Sequence, residues 1–183
     1  MNKVKIKMAT LLFFGLCIFY IANANAGTKP KPQSLKEVLQ TLSPSFRLKV
    51  LNPSASGYNY FSLRNFGGHV VIINFWATWC PPCRAEIPVL EKFYNAYKPK
   101  GVVVVGINVN SNMSGVKSFT KRYGITYPVV YANSNIISNY GGVNEIPQTF
   151  FISKSGKIMF HYIGEISKGA LYGITVKLLS MRQ

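Results

Sequence analysis

The sequence contains no aspartate, and only five of its 183 residues are acidic, all of them glutamates. Two-metal phosphoryl transfer and Ca²⁺ binding by an all-oxygen loop both need clustered carboxylates, so this scarcity excludes them. Apolar runs for several membrane crossings are absent, and a hydrophobic fraction of 48% excludes a disordered or collagen-like chain. The length suits one compact domain of about 100–150 residues with a short appendage.

The first 26 residues are typical of a secretory signal peptide. A basic start is followed by an apolar run over residues 8–22, and then by small residues that alternate with asparagine up to Ala26. This pattern predicts cleavage near Gly27 and an exported protein, periplasmic or otherwise extracytoplasmic. The alternative is an uncleaved membrane anchor, although the apolar run is shorter than the roughly 20 residues that a spanning helix needs.

Positive charge is the strongest compositional feature. Lysine and arginine together number 21, so the formal net charge is +16. In a cytoplasmic protein this excess would suggest nucleic acid. For an exported chain we predict no nucleic-acid partner, because the polyanions available there are envelope surfaces. The basic residues are scattered, with no run longer than Lys121-Arg122. We therefore favour a solvated basic surface, and electrostatic contact with anionic envelope surfaces stays open.

The rest of the chain alternates strands and helices. Residues 27–45 are predicted to form a leader that includes a short helix over 35–42, and residues 46–183 to form the folded domain. Strands are predicted at residues 46–51, 60–63, 70–76, 102–109, 129–131, 150–152 and 157–162. Helices are predicted at residues 82–97, 114–123 and 167–179, with a helical turn at 136–140. This order predicts an α/β fold with a mixed sheet covered on both faces.

Outside the signal segment, which contains Cys17, only two cysteines remain. They lie three positions apart in Cys80-Pro81-Pro82-Cys83, where the apolar third strand is predicted to turn into a helix. One helical turn brings such residues within reach of a disulfide, and the helix N-terminus stabilises a thiolate at the first cysteine. The two prolines remove N–H groups and stiffen the turn. The spacing therefore suits a dithiol that cycles with its disulfide.

The spacing of the cysteines also allows two other interpretations, a structural staple and a metal site. A structural staple that closes so short a ring stabilises the fold by only about 2 kcal/mol. A closed zinc site needs four ligands, and neither His69 nor His161 has ligand-like spacing to the cysteines. A two-coordinate Cu(I) site on the two thiolates stays open. We predict no resident metal and no cofactor.

The segment VIINFWATWCPPCRAE, residues 71–86, resembles the active-site segment of the thioredoxin superfamily, and specifically its exported TlpA/ResA-like (DsbE-like) branch. A second matching segment, IPQTFFISKSGK, covers residues 146–157, and the similarity extends from about Phe46 to the C-terminus. The resemblance implies a thioredoxin-like fold and a thiol–disulfide oxidoreductase that works outside the cytoplasm.

The resemblance also implies a role for each site residue. Cys80 would be the exposed attacking thiolate and Cys83 the more buried resolving thiol. Pro147 would be a cis-proline opposite the disulfide, beside a backbone edge at Ile146 on which an extended substrate can pair. An ordinary trans-proline entering an edge strand is the alternative. The implied substrate-binding residues are Trp79, Pro81, Pro82, Ile146 and Pro147.

Glu86 lies three positions after Cys83 and therefore on the same helical face. The resemblance implies that it is a buried acid that tunes the thiols and exchanges a proton with Cys83. An exposed first-turn glutamate, favoured by the helix dipole, is the alternative. Asn74 stands where many cytoplasmic thioredoxins have an aspartate, which leaves Glu86 as the only nearby acidic candidate.

These inferences favour a reductase of disulfides in exported proteins, for example in cytochrome c maturation. Its oxidised form would be re-reduced by a membrane thiol electron donor of the DsbD or CcdA type. A disulfide oxidant or isomerase, and a Cu(I)-binding chaperone that uses the same thiols, stay open. A peroxidase is disfavoured because no separate cysteine stands in a Thr-x-x-Cys setting.

Overall fold

The computed structural model of the chain describes residues 41–181. The strands are β1 (Arg47–Lys49), β2 (Tyr60–Ser62), β3 (Val70–Trp76), β4 (Val102–Asn108), β5 (Val129–Tyr131), β6 (Gln148–Ile152) and β7 (Ile158–Ile163). The α-helices are α1 (Pro53–Ser56), α2 (Pro81–Tyr97), α3 (Val116–Arg122), α4 (Ser134–Asn139) and α5 (Lys168–Ser180). None of the helices in this range is long and apolar enough to cross a bilayer. The predicted signal peptide lies outside the described residues.

The main sheet is mixed, with the strand order β5-β4-β3-β6-β7. The central strand β3 runs parallel to β4 and antiparallel to β6, and β6 pairs with β7 as a hairpin. Strands β1 and β2 form a separate antiparallel pair. The predicted α/β architecture with a mixed sheet is therefore confirmed.

The apolar sequence of β3 explains its central place. All seven of its residues are buried, as are those of β4, because helices or loops cover both faces of the sheet. Val70, Ile72 and Trp76 pack on the face that carries α2 and α5. The alternate residues Ile73 and Phe75 pack on the opposite face, against β2 and α4.

The structure corrects several predicted boundaries, including the three that follow. Leu42 forms an isolated β-bridge with Lys157, so it is not helical and the helix predicted over residues 35–42 does not extend to residue 42. Residues 35–40 of that predicted helix lie outside the described range. Helix α3 begins at Val116, because Gly115 before it has a left-handed φ of 77°. The predicted strand over 60–63 ends one residue early, where a short 3₁₀ helix begins at Leu63.

The strand register gives the sheet two distinct ends. β3 and β4 start together at Val70 and Val102, and they finish together at Trp76 and Asn108. Seven residues of strand span about 20 Å. We call the end where β3 finishes, from which the chain runs on to Cys80, the cysteine end.

Candidate active site

The two cysteines lie at the start of α2, immediately after β3. Cys80 is the N-cap residue, and its sulfur accepts a hydrogen bond from the backbone N–H of Cys83 at 3.2 Å. The two Sγ atoms form a disulfide of 2.06 Å, with Cα atoms 5.3 Å apart. Pro81 and Pro82 are the first two helical residues, a position where a missing N–H costs the helix nothing. The predicted placement of the pair is confirmed.

The expected exposure of Cys80 is wrong for this disulfide-bonded state. Its side chain is 3% exposed, because Sγ is bonded to Cys83 and lies 3.8 Å from the carbonyl oxygen of Ile146. Cys83 is fully buried. Cys80 is therefore the more accessible of the two cysteines, as predicted, but the difference in exposure is small.

The loop before β6 lies against the disulfide, as the resemblance implied. The Ile146–Pro147 peptide bond is cis. The Pro147 carbonyl accepts a hydrogen bond from the backbone N–H of Gly164 at 2.8 Å, and the side-chain amide of Gln148 donates to the carbonyl of Glu145 at 2.7 Å. These bonds fix the loop that places Ile146 beside Cys80.

Of the five residues predicted to bind substrate, four are exposed or half-buried around the disulfide, and Pro147 is buried. Trp79 is 65% exposed, which is unusual for so large an apolar side chain, and Pro81 beside it is exposed too. Pro82 and Ile146 are half-buried. The fold thus brings an exposed aromatic ring, a proline turn and the loop before β6 to one surface around Cys80.

Glu86 is buried behind the cysteines, with an exposed fraction of 1%. It shares the buried face of α2 with Cys83, as the three-residue spacing predicted. Its Oε1 accepts a hydrogen bond from Asn74 Nδ2 at 2.7 Å, and its Oε2 accepts one from the backbone N–H of Ile166 at 3.2 Å. The exposed alternative for Glu86 is excluded by this geometry.

Burial raises the pKa of Glu86 to about 7 from the ordinary value of 4.5. The hydrogen bonds from Asn74 and Ile166 oppose this shift, because they stabilise the carboxylate, while the nearby charge of Glu165 adds to it. A carboxyl with a pKa near 7 can hold or release a proton at physiological pH. That property suits a proton acceptor for a thiol.

Sequence reasoning missed the groups that hold Glu86. Asn74 also donates to the Thr149 hydroxyl at 3.1 Å, so one buried amide joins β3, β6 and α2. A signal was present, because a polar residue in the middle of a buried apolar strand needs a partner. The partner itself is set by the tertiary fold.

Two further contacts position the disulfide loop. Asn110 and Thr78 exchange hydrogen bonds, from the Thr78 backbone N–H to Asn110 Oδ1 at 3.0 Å and from Asn110 Nδ2 to the Thr78 hydroxyl at 2.8 Å. Arg84 Nε donates to the Tyr123 hydroxyl at 2.8 Å, which ties α2 to α3 next to Cys83. The sequence singled out none of these four residues as part of the site.

The arrangement of these groups suits thiol–disulfide exchange. It offers a nearly buried sulfur at the helix N-cap, a fully buried second cysteine one turn further along the helix, and a buried acid on the same helical face as that second cysteine. Within residues 41–181, no group of three or more histidine, cysteine or acidic side chains is placed to hold a metal ion.

Comparisons with known proteins agree with this geometry. The AhpC/TSA family matches residues 40–161. The thiol-disulfide oxidoreductase ResA of Bacillus thuringiensis is 36% identical over 116 residues, which are 63% of this chain and 67% of the relative. ResA of Geobacillus thermodenitrificans is 36% identical over 106 residues, 58% of this chain and 61% of the relative.

Two solved structures have the same architecture. A thiol:disulfide interchange protein of the thioredoxin family from Chlorobium tepidum is 34% identical, with a TM-score of 0.70 over 78% of this chain and 98% of its own. StoA from Bacillus subtilis is 28% identical, with a TM-score of 0.62 over 73% of this chain and 98% of its own. These likenesses confirm the predicted thioredoxin-like fold.

Proposed function

Because this chain belongs to the AhpC/TSA family and is a thiol–disulfide oxidoreductase of the ResA type, we propose that it reduces disulfides of exported proteins outside the cytoplasm. The predicted signal segment supports that location. Exported proteins with a Cys-x-x-Cys-His haem-attachment sequence, as in cytochrome c maturation, are the substrates we propose first.

The reaction is a two-electron exchange between dithiols and disulfides. The Cys80 thiolate attacks one sulfur of a substrate disulfide, which forms a mixed disulfide and releases one substrate thiolate. Cys83 then loses its proton to Glu86 and attacks Cys80 Sγ, which releases the second substrate thiol and leaves the Cys80–Cys83 disulfide. A membrane dithiol donor of the DsbD or CcdA type returns the two electrons.

The observation that carries the reducing direction is the small number of donors around Cys80. Pro81 and Pro82 have no N–H, so of the first three helical residues only Cys83 donates to the sulfur. A thiolate with few donors is weakly stabilised, and the dithiol form is then a stronger reductant. Glu86 acts in the same direction when it is ionised, because a buried negative charge disfavours a nearby thiolate.

The reduction potential of the Cys80–Cys83 couple tests this direction. We expect a value near or below that of thioredoxin, about −270 mV, in equilibrium with dithiol buffers of known potential. A value near −120 mV would make the protein an oxidant and would overturn the proposal.

A trapping experiment tests the exchange itself. A Cys83→Ala variant keeps the attacking thiol but cannot resolve the mixed disulfide, so we expect exported proteins to accumulate on Cys80 in cells. The double variant C80A/C83A is the matched control and should capture nothing. If the single variant also captures nothing, Cys80 does not attack protein disulfides.

A further inference from the structure

Five lysines lie at the end of the sheet opposite the cysteines, and we call this surface the lysine end. They are Lys98, Lys100, Lys154, Lys157 and Lys177. Three are exposed and two are half-buried. The segments that form this end, residues 66–70, 97–102, 152–158 and 174–181, contain no acidic residue.

The strand register brings these scattered positions together. The segment that carries Lys98 and Lys100 leads into β4, whose first residue pairs with Val70 at the start of β3. Ile152 at the end of β6 pairs with Val71, which puts the turn to β7 at the same end. The ammonium of Lys154 in that turn donates to the carbonyl of Leu179 at 2.8 Å, which brings the last turn of α5 there too.

Apolar and aromatic side chains accompany the lysines. Val176 is 52% exposed and Met181 is 39% exposed, both at the C-terminal end of α5. Tyr97 and Tyr172 meet edge to face with ring centroids 5.4 Å apart, and the Lys100 ammonium lies 4.4 Å over the Tyr97 ring. Half-buried tyrosines beside lysines and exposed aliphatic side chains are typical of surfaces that sit at a membrane–water boundary.

We propose that the lysine end docks on a bilayer that contains anionic phospholipid. The three exposed lysines, Lys98, Lys100 and Lys177, face the lipid phosphates, and Val176 and Met181 reach into the headgroup layer. A cluster of lysines without acids is attracted to such a surface, and each lysine near it contributes separately. The aliphatic side chains favour a bilayer over a soluble polyanion, since only the bilayer offers them an apolar phase.

The proposal also fixes an orientation. The cysteine end lies about 20 Å from the lysine end, farther than the Debye length of about 8 Å at physiological salt. A protein bound by its lysines therefore holds Cys80 and Trp79 away from the lipid, where protein substrates can reach them. This inference does not depend on the direction of the redox reaction.

The first experiment measures binding of the full chain to vesicles. Binding to vesicles of phosphatidylcholine alone is the reference, because it measures the part of the binding that does not depend on lipid charge, including any from the N-terminal apolar run. We expect added phosphatidylglycerol to strengthen binding, and K98Q/K100Q/K177Q to reduce that gain by at least about tenfold. Lys154 is left unchanged because it holds α5.

A matched variant separates a docking surface from diffuse charge. K49Q/K117Q/K121Q removes three exposed lysines away from the lysine end, and we expect it to keep most of the gain. Equal losses in the two variants would show that net charge alone drives binding and would overturn the proposal. K98R/K100R/K177R should bind like the wild type, and all variants should reduce a soluble disulfide at the wild-type rate.

Tryptophan fluorescence tests the orientation without any substitution. The chain has two tryptophans, of which Trp76 is fully buried and Trp79 is 65% exposed at the cysteine end. On vesicles with brominated anionic lipid, we expect Trp79 to stay unquenched and open to acrylamide. Strong quenching by the lipid would mean docking through the cysteine end. The proposal would also be contradicted if phosphatidylglycerol did not strengthen binding to vesicles, or if the chain associated with itself instead of binding to them.

Discussion

The two ends of the sheet use polar groups in opposite ways. At the cysteine end the acid Glu86 is 1% exposed, and its hydrogen-bond donors are a buried amide and a backbone N–H. At the lysine end most of the charges are exposed and no described acid accompanies them. Desolvation therefore controls the chemistry at one end, while solvent and salt control the interactions at the other. Substitutions should reveal this difference through pH dependence at the first end and salt dependence at the second.

Removing the charge of Glu86 should give the largest effect. Its pKa is about 7 in the folded protein, against 4.5 for an ordinary glutamate. Between these pH values the folded protein keeps a proton that the unfolded chain has released, so the free energy of unfolding falls as pH rises. The full loss is on the order of 3 kcal/mol above pH 7. A Glu86→Gln variant cannot ionise and escapes this loss.

The sign of the Glu86→Gln effect should therefore reverse with pH. Glutamine keeps an acceptor for Asn74 but cannot also accept from the Ile166 N–H, a loss of about 1 kcal/mol. Urea unfolding of the disulfide form should find the variant less stable than the wild type at about pH 4, about equally stable near pH 5 and more stable at about pH 8. Glu145→Gln, at an exposed glutamate, is the control. If the free energies of unfolding of the wild type and of Glu86→Gln changed with pH in parallel, Glu86 would not be an acid whose pKa is raised by desolvation.

The contrast between the ends also separates what the sequence could predict from what it could not. The limits of β3 and the position of the cysteine pair at a helix start follow from local patterns, an apolar run that stops and a Cys-Pro-Pro-Cys spacing. The helical face that Glu86 shares with Cys83 follows from their three-residue spacing, whereas the burial of Glu86 was implied only by the family resemblance. Features set by residues close together in the chain can be predicted from the sequence alone.

Features that depend on distant parts of the chain were not predictable in the same way. Asn74 is twelve residues from Glu86 and 75 from Thr149; the register of β3 and β6 pairs it with Thr149, and the packing of α2 on the sheet brings Glu86 to it. The same holds for the lysines, which are scattered along the chain and gather only because β4, the β6–β7 turn and α5 meet at one end. Because the basic residues are scattered along the sequence, their spacing predicted a diffuse basic surface and gave no sign of this cluster.

Removal of the Asn74 amide should give an intermediate effect. Asn74→Ala loses the hydrogen bonds to Glu86 and Thr149 at a site that is 1% exposed, so we expect a loss of about 2 kcal/mol in the free energy of unfolding. Because the Asn74 hydrogen bond lowers the pKa of Glu86, the variant should also shift the pH midpoint of its stability loss upward.

A surface bond of the same chemistry is the control for Asn74→Ala. Asn95 Nδ2 donates to Glu91 Oε1 at 3.0 Å, also an amide-to-carboxylate hydrogen bond, but an exposed one. Asn95→Ala should cost less than about 0.5 kcal/mol and leave the pH profile unchanged. Equal costs at the two sites would mean that burial does not set the strength of the Asn74 bond.

The smallest effect should come from the lysine end, at Lys154. Its ammonium donates to the Leu179 carbonyl in the last turn of α5, where a cation also interacts favourably with the helix dipole. Lys154→Met keeps much of the apolar stem and removes the charge, so we expect a loss of about 0.5–1 kcal/mol in thermal or urea unfolding. The difference from the wild type should shrink in about 1 M salt, since the Debye length there is only about 3 Å. Lys154→Arg keeps the charge and should stay close to the wild type. A loss of stability that is unaffected by salt would mean that Lys154 acts through packing, and the contrast between a desolvated end and a screened end would then fail at this residue.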